Sequence, residues 1–348
     1  MGRDARGWLG SWEIRLSPRD REVDRFDESD VRVRPPRRGS RPRTKRRPDH
    51  PDAVTGMVVA VDRGRWTCVL HGDPEHRVTA MRARELGRTP VVVGDRVGLV
   101  GDLSGATDAL ARIVRVTERC SVLRRTADDT DPYERVVVAN AEQLLVVASL
   151  ADPPPRTGLI DRCLVAAYAG GLEPVLCLTK GDLAAPDALI ERYAALDLPV
   201  LVTRPEEPPD GLRRRLATRV SALVGHSGVG KSTLVNRLVP DAARATAEVS
   251  AVGKGRHTSA SVVALALPRG GWVIDTPGIR SFGLAHVSVD DVVSAFGDLA
   301  EAIGDCPRGC THLGPPPDPE CALDGLKGAA GRRALSVRHL IVALTETG

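Results

Sequence analysis

The stretch Gly225-His226-Ser227-Gly228-Val229-Gly230-Lys231-Ser232-Thr233 constrains this chain more than any other. It follows the apolar run Ser221–Val224 and precedes a helical run over Lys231–Leu238, the strand–loop–helix setting of a GxxxxGK[ST] loop. The glycines let the backbone curl so that its N–H groups converge on phosphate oxygens, and the following helix N-terminus adds positive potential. Lys231 is then placed to reach the β- and γ-phosphates, and the Ser232 hydroxyl to ligate Mg²⁺. Lysine is scarce in this chain, with five in 348 residues, so one standing in this loop is informative.

Three further stretches extend the pattern. Asp275-Thr276-Pro277-Gly278 follows the apolar run Trp272–Ile274. A carboxylate at that strand end can hold the Mg²⁺ hydration shell, and the Gly278 N–H can sense the γ-phosphate. Thr179-Lys180-Gly181-Asp182 follows Val175–Leu178 and resembles the [NT]KxD guanine motif, with Thr179 where asparagine is usual. Asp182 can accept from guanine N1–H and the 2-amino group together. Adenine offers neither donor, so this carboxylate opposes an ATP-dependent kinase. Gly255-Arg256-His257-Thr258 stands between the P-loop and DTPG, where a first switch belongs, with Thr258 as a second Mg²⁺ ligand. Ile279 occupies the position where many GTPases place a water-orienting glutamine, and an aliphatic side chain cannot orient water. His257 is the nearest candidate, against the plainer reading of a surface loop histidine. The guanine motif precedes the P-loop in the chain, so the order is circularly permuted. The segment that starts at DTPG then leads straight into the C-terminal part of the chain.

The rest of the chain reads as three regions around this one. Residues 54–117 hold five short strand patterns (Val54–Val61, Arg65–Leu70, Arg77–Ala80, Asp95–Val100, Ala109–Val116), which fit an OB-type barrel, with an SH3-like barrel giving nearly the same pattern. From about residue 135, strand-length apolar runs alternate with helical stretches, as in an α/β domain with a largely parallel sheet. After Ser288 the pattern is helical and carries Cys306-x3-Cys310-x-His312-x8-Cys321. Three thiolates and one imidazole make a closed tetrahedral shell, hence a structural Zn²⁺ site; unliganded thiols are the other reading. Cys68, Cys120, Cys163 and Cys177 stand among apolar residues and are expected to be buried thiols. Between Val31 and Arg47 there are nine Lys or Arg and no acid, too little apolar content to fold alone; the stretch reads as a solvated tail or as an arm for RNA phosphate. Aromatics are 3% of the chain, which disfavours a binding surface of stacked rings. No run of 18 apolar residues suggests a membrane span, and no secretory signal is evident, so a cytoplasmic protein is expected.

The barrel, the permuted nucleotide domain and the Cys/His segment together resemble the ribosome small subunit-dependent GTPase A family (RsgA/YjeQ), over about residues 54–345. Val138-Ala139-Asn140, Ile160-Asp161-Arg162, the GHSGVGKS loop, Gly255–Thr258 and Asp275-Thr276-Pro277-Gly278-Ile279-Arg280 carry the likeness. After a basic, disordered tail (1–50), it implies a multidomain protein: an OB-fold barrel (51–118), a circularly permuted α/β GTPase domain (119–285) and a zinc-binding helical domain (286–348). It further implies GTP hydrolysis stimulated by the small (30S) ribosomal subunit, contacts of barrel and zinc domain with that subunit and its rRNA, late maturation with release, and a catalytic His257. A single chain without membrane partners is expected. The family usually spaces its cluster C-x4-C-x-H-x5-C; here the first gap is one shorter and the last three longer, with Pro315–Pro317 inserted. The competing reading is a GTP-dependent RNA-binding switch whose hydrolysis is incidental.

Overall fold

The computed structural model describes residues 50–126, 134–240, 242, 262–276 and 283–345. The basic stretch Val31–Arg47 lies outside them. Five strands open the described chain: β1 (Val54–Asp62), β2 (Arg65–Leu70), β3 (Asp73–Arg82), β4 (Arg96–Gly101) and β5 (Ala111–Val116). They pair in the order β1-β2-β3-β5-β4, and β4 returns to β1. The β3–β5 pairing is parallel and the others are antiparallel. This closed five-stranded barrel is the OB type, which sets the SH3-like alternative aside. Strand alternation explains its interior. Val58, Cys68, Val78, Ala80, Val97, Leu99, Ala111 and Ile113 turn inward and are almost wholly buried. Trp66 closes one end, its indole N–H donating to the Val91 carbonyl at 3.0 Å.

Beyond the barrel, β6 (Val122–Arg125) and β7 (Arg135–Ala139) form a separate antiparallel pair that the sequence pattern does not predict. Six more strands follow: β8 (Gln143–Ser149), β9 (Glu173–Thr179), β10 (Val200–Val202), β11 (Val220–Gly225), β12 (Val263–Ala266) and β13 (Trp272–Asp275). Their order is β10-β9-β8-β11-β13-β12. All are parallel except β12, which runs antiparallel to β13. The central strand β8 is buried along its whole length, as a parallel strand covered on both faces should be. Helices α1 (Thr157–Ala169), α2 (Asp187–Tyr193), α3 (Asp210–Leu216) and α4 (Lys231–Leu238) connect the strands. After the sheet come α5 (Val289–Val293), α6 (Gly297–Ala302) and the long α7 (Gly328–Thr345). Helix α7 lies against α1, where the Arg162 guanidinium donates to the Ala343 carbonyl at 2.9 Å. Arg333 of α7 pairs with both Asp197 and Asp298.

Barrel and sheet meet at two places. Ala60 in β1 pairs with Val263 in β12, so barrel and nucleotide sheet share one hydrogen-bonded sheet. The segment Val138-Ala139-Asn140 docks beside Gly94: Ala139 N–H donates to Val93 O at 3.0 Å, and Asn140 Nδ2 to Gly94 O at 3.0 Å. A Cβ at Gly94 would stand 1.9 Å from Ala139 O, and its φ is 90°, so only glycine serves there. Cys68, Cys163 and Cys177 are buried thiols, each pushed up to about 12 by burial. Cys120 is a correction. It is exposed, because it lies on the turn between β5 and β6, where its N–H bonds the Asn140 side chain at 2.9 Å.

Candidate functional site

The carboxyl ends of β9, β11 and β13 open on one crevice, where ligands bind in open α/β sheets. Strand β11 ends at Gly225, whose Cβ, if present, would lie 2.5 Å from the Val147 carbonyl of β8. His226 and Ser227 begin the turn, with His226 Nδ1 2.8 Å from Ser227 O. Gly228 and Gly230 take φ of 85° and 88°, the left-handed conformation that curls the loop back onto the start of α4. Val229 is buried between them, while Ser232 and Thr233 stay exposed in the first turn of α4.

Lys231 forms an ion pair with Asp275, the last residue of β13. The register of β11 and β13 sets Leu223 beside Asp275, and the Thr276 hydroxyl donates to Leu223 O. The P-loop lysine and the first residue of DTPG are thus adjacent side chains. Thr179 joins the guanine motif to the same centre. Its hydroxyl reaches Val229 O at 2.6 Å and Ala148 O at 3.3 Å from a position 6% exposed. Lys180, at φ 58°, donates to Asp152 O; Gly181 N–H donates to Thr203 O at 3.1 Å, and Asp182 is exposed beyond. His257, Thr258 and Gly278 lie outside the described residues, as does Ile279. Two neighbours of the crevice went unread in the sequence. One is the loop Asp152–Arg156, whose run of prolines after a strand was its signal. The other is Thr203–Arg204 at the end of β10, which the pairing of β9 with β10 sets beside the guanine motif.

Farther along, Cys306, Cys310, His312 and Cys321 bring their four donor atoms within 4.8 Å of one another. Zinc–ligand bonds of about 2.0–2.3 Å put tetrahedral donors roughly 3.5–3.8 Å apart. The Cys306 Sγ to His312 Nδ1 distance of 3.5 Å fits. Outer partners support the donors, as metal sites require. His312 Nε2 stands 3.3 Å from Asp290 Oδ1, Ala322 N–H points at Cys306 Sγ at 3.3 Å, and Arg338 at Cys321 Sγ at 3.6 Å. The altered spacing is absorbed by Asp318. Its carboxylate accepts from Thr311 N and Leu313 N at 3.0 and 3.1 Å and from the Thr311 hydroxyl at 2.5 Å, and the Thr311 hydroxyl leads in holding that carboxyl below its usual range.

The family model "RsgA GTPase" matches residues 116–285. A protein of Ectopseudomonas mendocina named small ribosomal subunit biogenesis GTPase RsgA is 38% identical over 272 residues, covering 74% of this chain and 76% of that one. The chain belongs to the RsgA GTPase family. A relative of the same name from Gemmatimonas aurantiaca is 37% identical over 282 residues, covering 78% and 90%. The structure is also similar to the crystal structure of YjeQ from Thermotoga maritima, with TM-score 0.61, 25% identity and coverage of 84% and 98%. The crystal structure of YloQ, a circularly permuted GTPase, shares the fold with TM-score 0.59 at 23% identity, covering 85% and 98%. As a member of the RsgA family the chain is a circularly permuted GTPase of ribosome biogenesis, hydrolysing GTP to GDP and phosphate. None of the described helices is long and apolar enough to cross a membrane.

Proposed function

We propose that this chain binds the small ribosomal subunit, assists its late maturation, and leaves it when GTP is hydrolysed. The observation that carries the reading is the meeting of three motifs in one crevice: Thr179 bonded to Val229, and Lys231 paired with Asp275. In this reading the loop Gly225–Thr233 cradles the phosphates, with Lys231 on the β- and γ-phosphates. Ser232, Asp275 and Thr258 hold Mg²⁺, which neutralises the phosphate charge. Asp182 selects guanine, the Lys180 stem covers its face, and Gly278 senses the γ-phosphate. His257 orients the attacking water, because Ile279 cannot. Zn²⁺ held by Cys306, Cys310, His312 and Cys321 is structural, since four protein donors leave no open position. The barrel, the permuted GTPase domain and the zinc-binding region act as three parts, in the cytoplasm, with the barrel and zinc region on the subunit's rRNA.

The test is turnover with and without purified small subunits, alongside co-sedimentation in a GTP analogue and in GDP. Stimulated turnover with tighter co-sedimentation in the analogue is expected. Co-sedimentation without any change in turnover would favour an RNA-binding switch whose hydrolysis is incidental.

A further inference from the structure

We propose that Arg156 is a catalytic residue of this GTPase, an arginine supplied in cis that neutralises charge developing on the γ-phosphoryl group. The proposal rests on the reading of the crevice as the GTP site. Arg156 ends the loop that runs from β8 over the outer side of the P-loop. That loop is held at three points. Ser149 Oγ donates to Pro153 O at 2.6 Å, Lys180 of the guanine motif donates to Asp152 O, and the Pro153 ring lies 3.5 Å from where a Gly228 Cβ would stand. Arg156 lines the same small apolar cavity as Gly225, His226 and Val229. Its place beside the phosphate-binding loop is therefore set by the loop's anchors.

Its surroundings leave the charge unspent. Arg156 is exposed and, among the described residues, makes no side-chain hydrogen bond or ion pair. Nearby arginines are engaged: Arg162 on Ala343 O, Arg204 on Glu207, and Arg237 on Arg204 O. Arg156 is also the N-cap of α1, a 13-residue helix, yet it makes no side-chain cap bond, and the first turn holds no acid. A cation at a helix N-terminus opposes the helix dipole, and Ser, Thr, Asp or Asn would cap it better. A residue that breaks a local rule without local compensation marks a functional position more often than a structural one. An anion brought to the P-loop supplies the missing partner.

The chemistry follows from phosphoryl transfer. A water oxygen bonds to the γ-phosphorus while the bond from that phosphorus to the β–γ bridging oxygen breaks. GDP leaves with the electron pair, and the water's proton ends on phosphate. Negative charge builds on the bridging and γ-oxygens, and a guanidinium fork there stabilises it. Among the described residues, the other lysine beside the crevice, Lys180, is turned to Asp152 O.

The experiment compares Arg156→Ala and Arg156→Lys with wild type in single-turnover GTP hydrolysis, with titrations of GDP and a non-hydrolysable GTP analogue. Arg156→Ala is expected to slow hydrolysis about a hundredfold, below the range for an arginine in a fully assembled site. GDP affinity should stay within about threefold, because the group acts on the transition state. Arg156→Lys should recover little, lacking the fork, whereas added guanidinium at non-denaturing concentration should partly restore the alanine variant. Hydrolysis within about threefold of wild type, or a parallel loss of GDP affinity without guanidinium rescue, would overturn the proposal. Failure of wild type to bind either nucleotide would instead remove the GTP site itself.

Discussion

At position 179 a hydroxyl on a fully folded strand end holds two motifs in register: β9 carries it, and the Val229 carbonyl of the P-loop receives it. Thr179→Val should leave that buried carbonyl without its donor and cost about 1–3 kcal/mol, lowering the urea midpoint and weakening nucleotide binding together. Thr179→Ser should restore both; equal midpoints for all three proteins would show that the bond contributes nothing. Asp182 makes a different kind of prediction, since it is exposed and its carboxylate has no hydrogen bond or ion pair among the described residues. Asp182→Asn should lose GTP affinity and gain xanthosine triphosphate, because an amide mismatches guanine's two donors but suits xanthine. Competition between the two nucleotides reads this directly. His257→Ala should lose most subunit-stimulated turnover, about a hundredfold for one positioning or proton-transfer group, with nucleotide affinity unchanged. Stimulation equal to wild type would make His257 a bystander. Asp182 and Lys231 can be singled out in the sequence because nucleotide chemistry fixes both type and spacing. Arg156 cannot be, because the role proposed for it depends on which loop passes over the P-loop, and that is a tertiary fact.

Among elements, those with long apolar runs were legible. The apolar runs Val175–Leu178, Ser221–Val224 and Trp272–Ile274 fall within β9, β11 and β13. Short, charged elements were not. Helix α3 reads Asp-Gly-Leu-Arg-Arg-Arg-Leu, where Leu212 and Leu216 are buried and Arg213 pairs with Asp210 at 3.2 Å. Seven residues with one glycine and three arginines carry too little periodicity to separate from a loop. Strand β6, Val-Leu-Arg-Arg, is four residues long and half arginine; it pairs with β7, which also bridges to Val93 at Val138. The segment Cys306–Cys321 has almost no regular structure, and it is held by bonds from Asp318 and Arg338. Cys310→Ser should therefore lose the metal, about one zinc per chain by elemental analysis, and raise amide exchange after Ser288. Freshly purified wild-type protein without zinc would remove the metal from this reading.

Over the whole molecule, charge is distributed unevenly: nine cations and no acid between Val31 and Arg47, against a net charge of +4 for the full chain. Deleting residues 1–50 should leave intrinsic GTP turnover unchanged. Binding to small subunits should weaken, and its logarithmic salt dependence should become shallower, as lost phosphate contacts require. Unfolding of the truncated chain would show that the segment belongs to the core. The permuted order also carries a whole-molecule consequence. After Asp275 ends β13 the described chain runs to Thr276 and resumes at Gly283, whose carbonyl receives the Thr126 N–H at 3.0 Å beside β6. From there it enters α5, whose Asp290 touches His312. From Gly283 onward the described chain adds no strand to the sheet before it reaches Cys306–Cys321.

The pairing of Ala60 with Val263 has a further effect on how the protein keeps to itself. Strand β12 would otherwise be the outer strand of the nucleotide sheet, with unpaired backbone groups able to recruit another chain. The barrel's β1 meets that flank at Ala60, and the barrel has no flank of its own because β4 returns to β1. At the far side the large sheet ends in β10, three half-buried residues long. Short terminal strands and closed barrels are how proteins avoid edge-to-edge aggregation. A fragment beginning near residue 119 would uncover β12, and its solubility, more than its nucleotide chemistry, would suffer first.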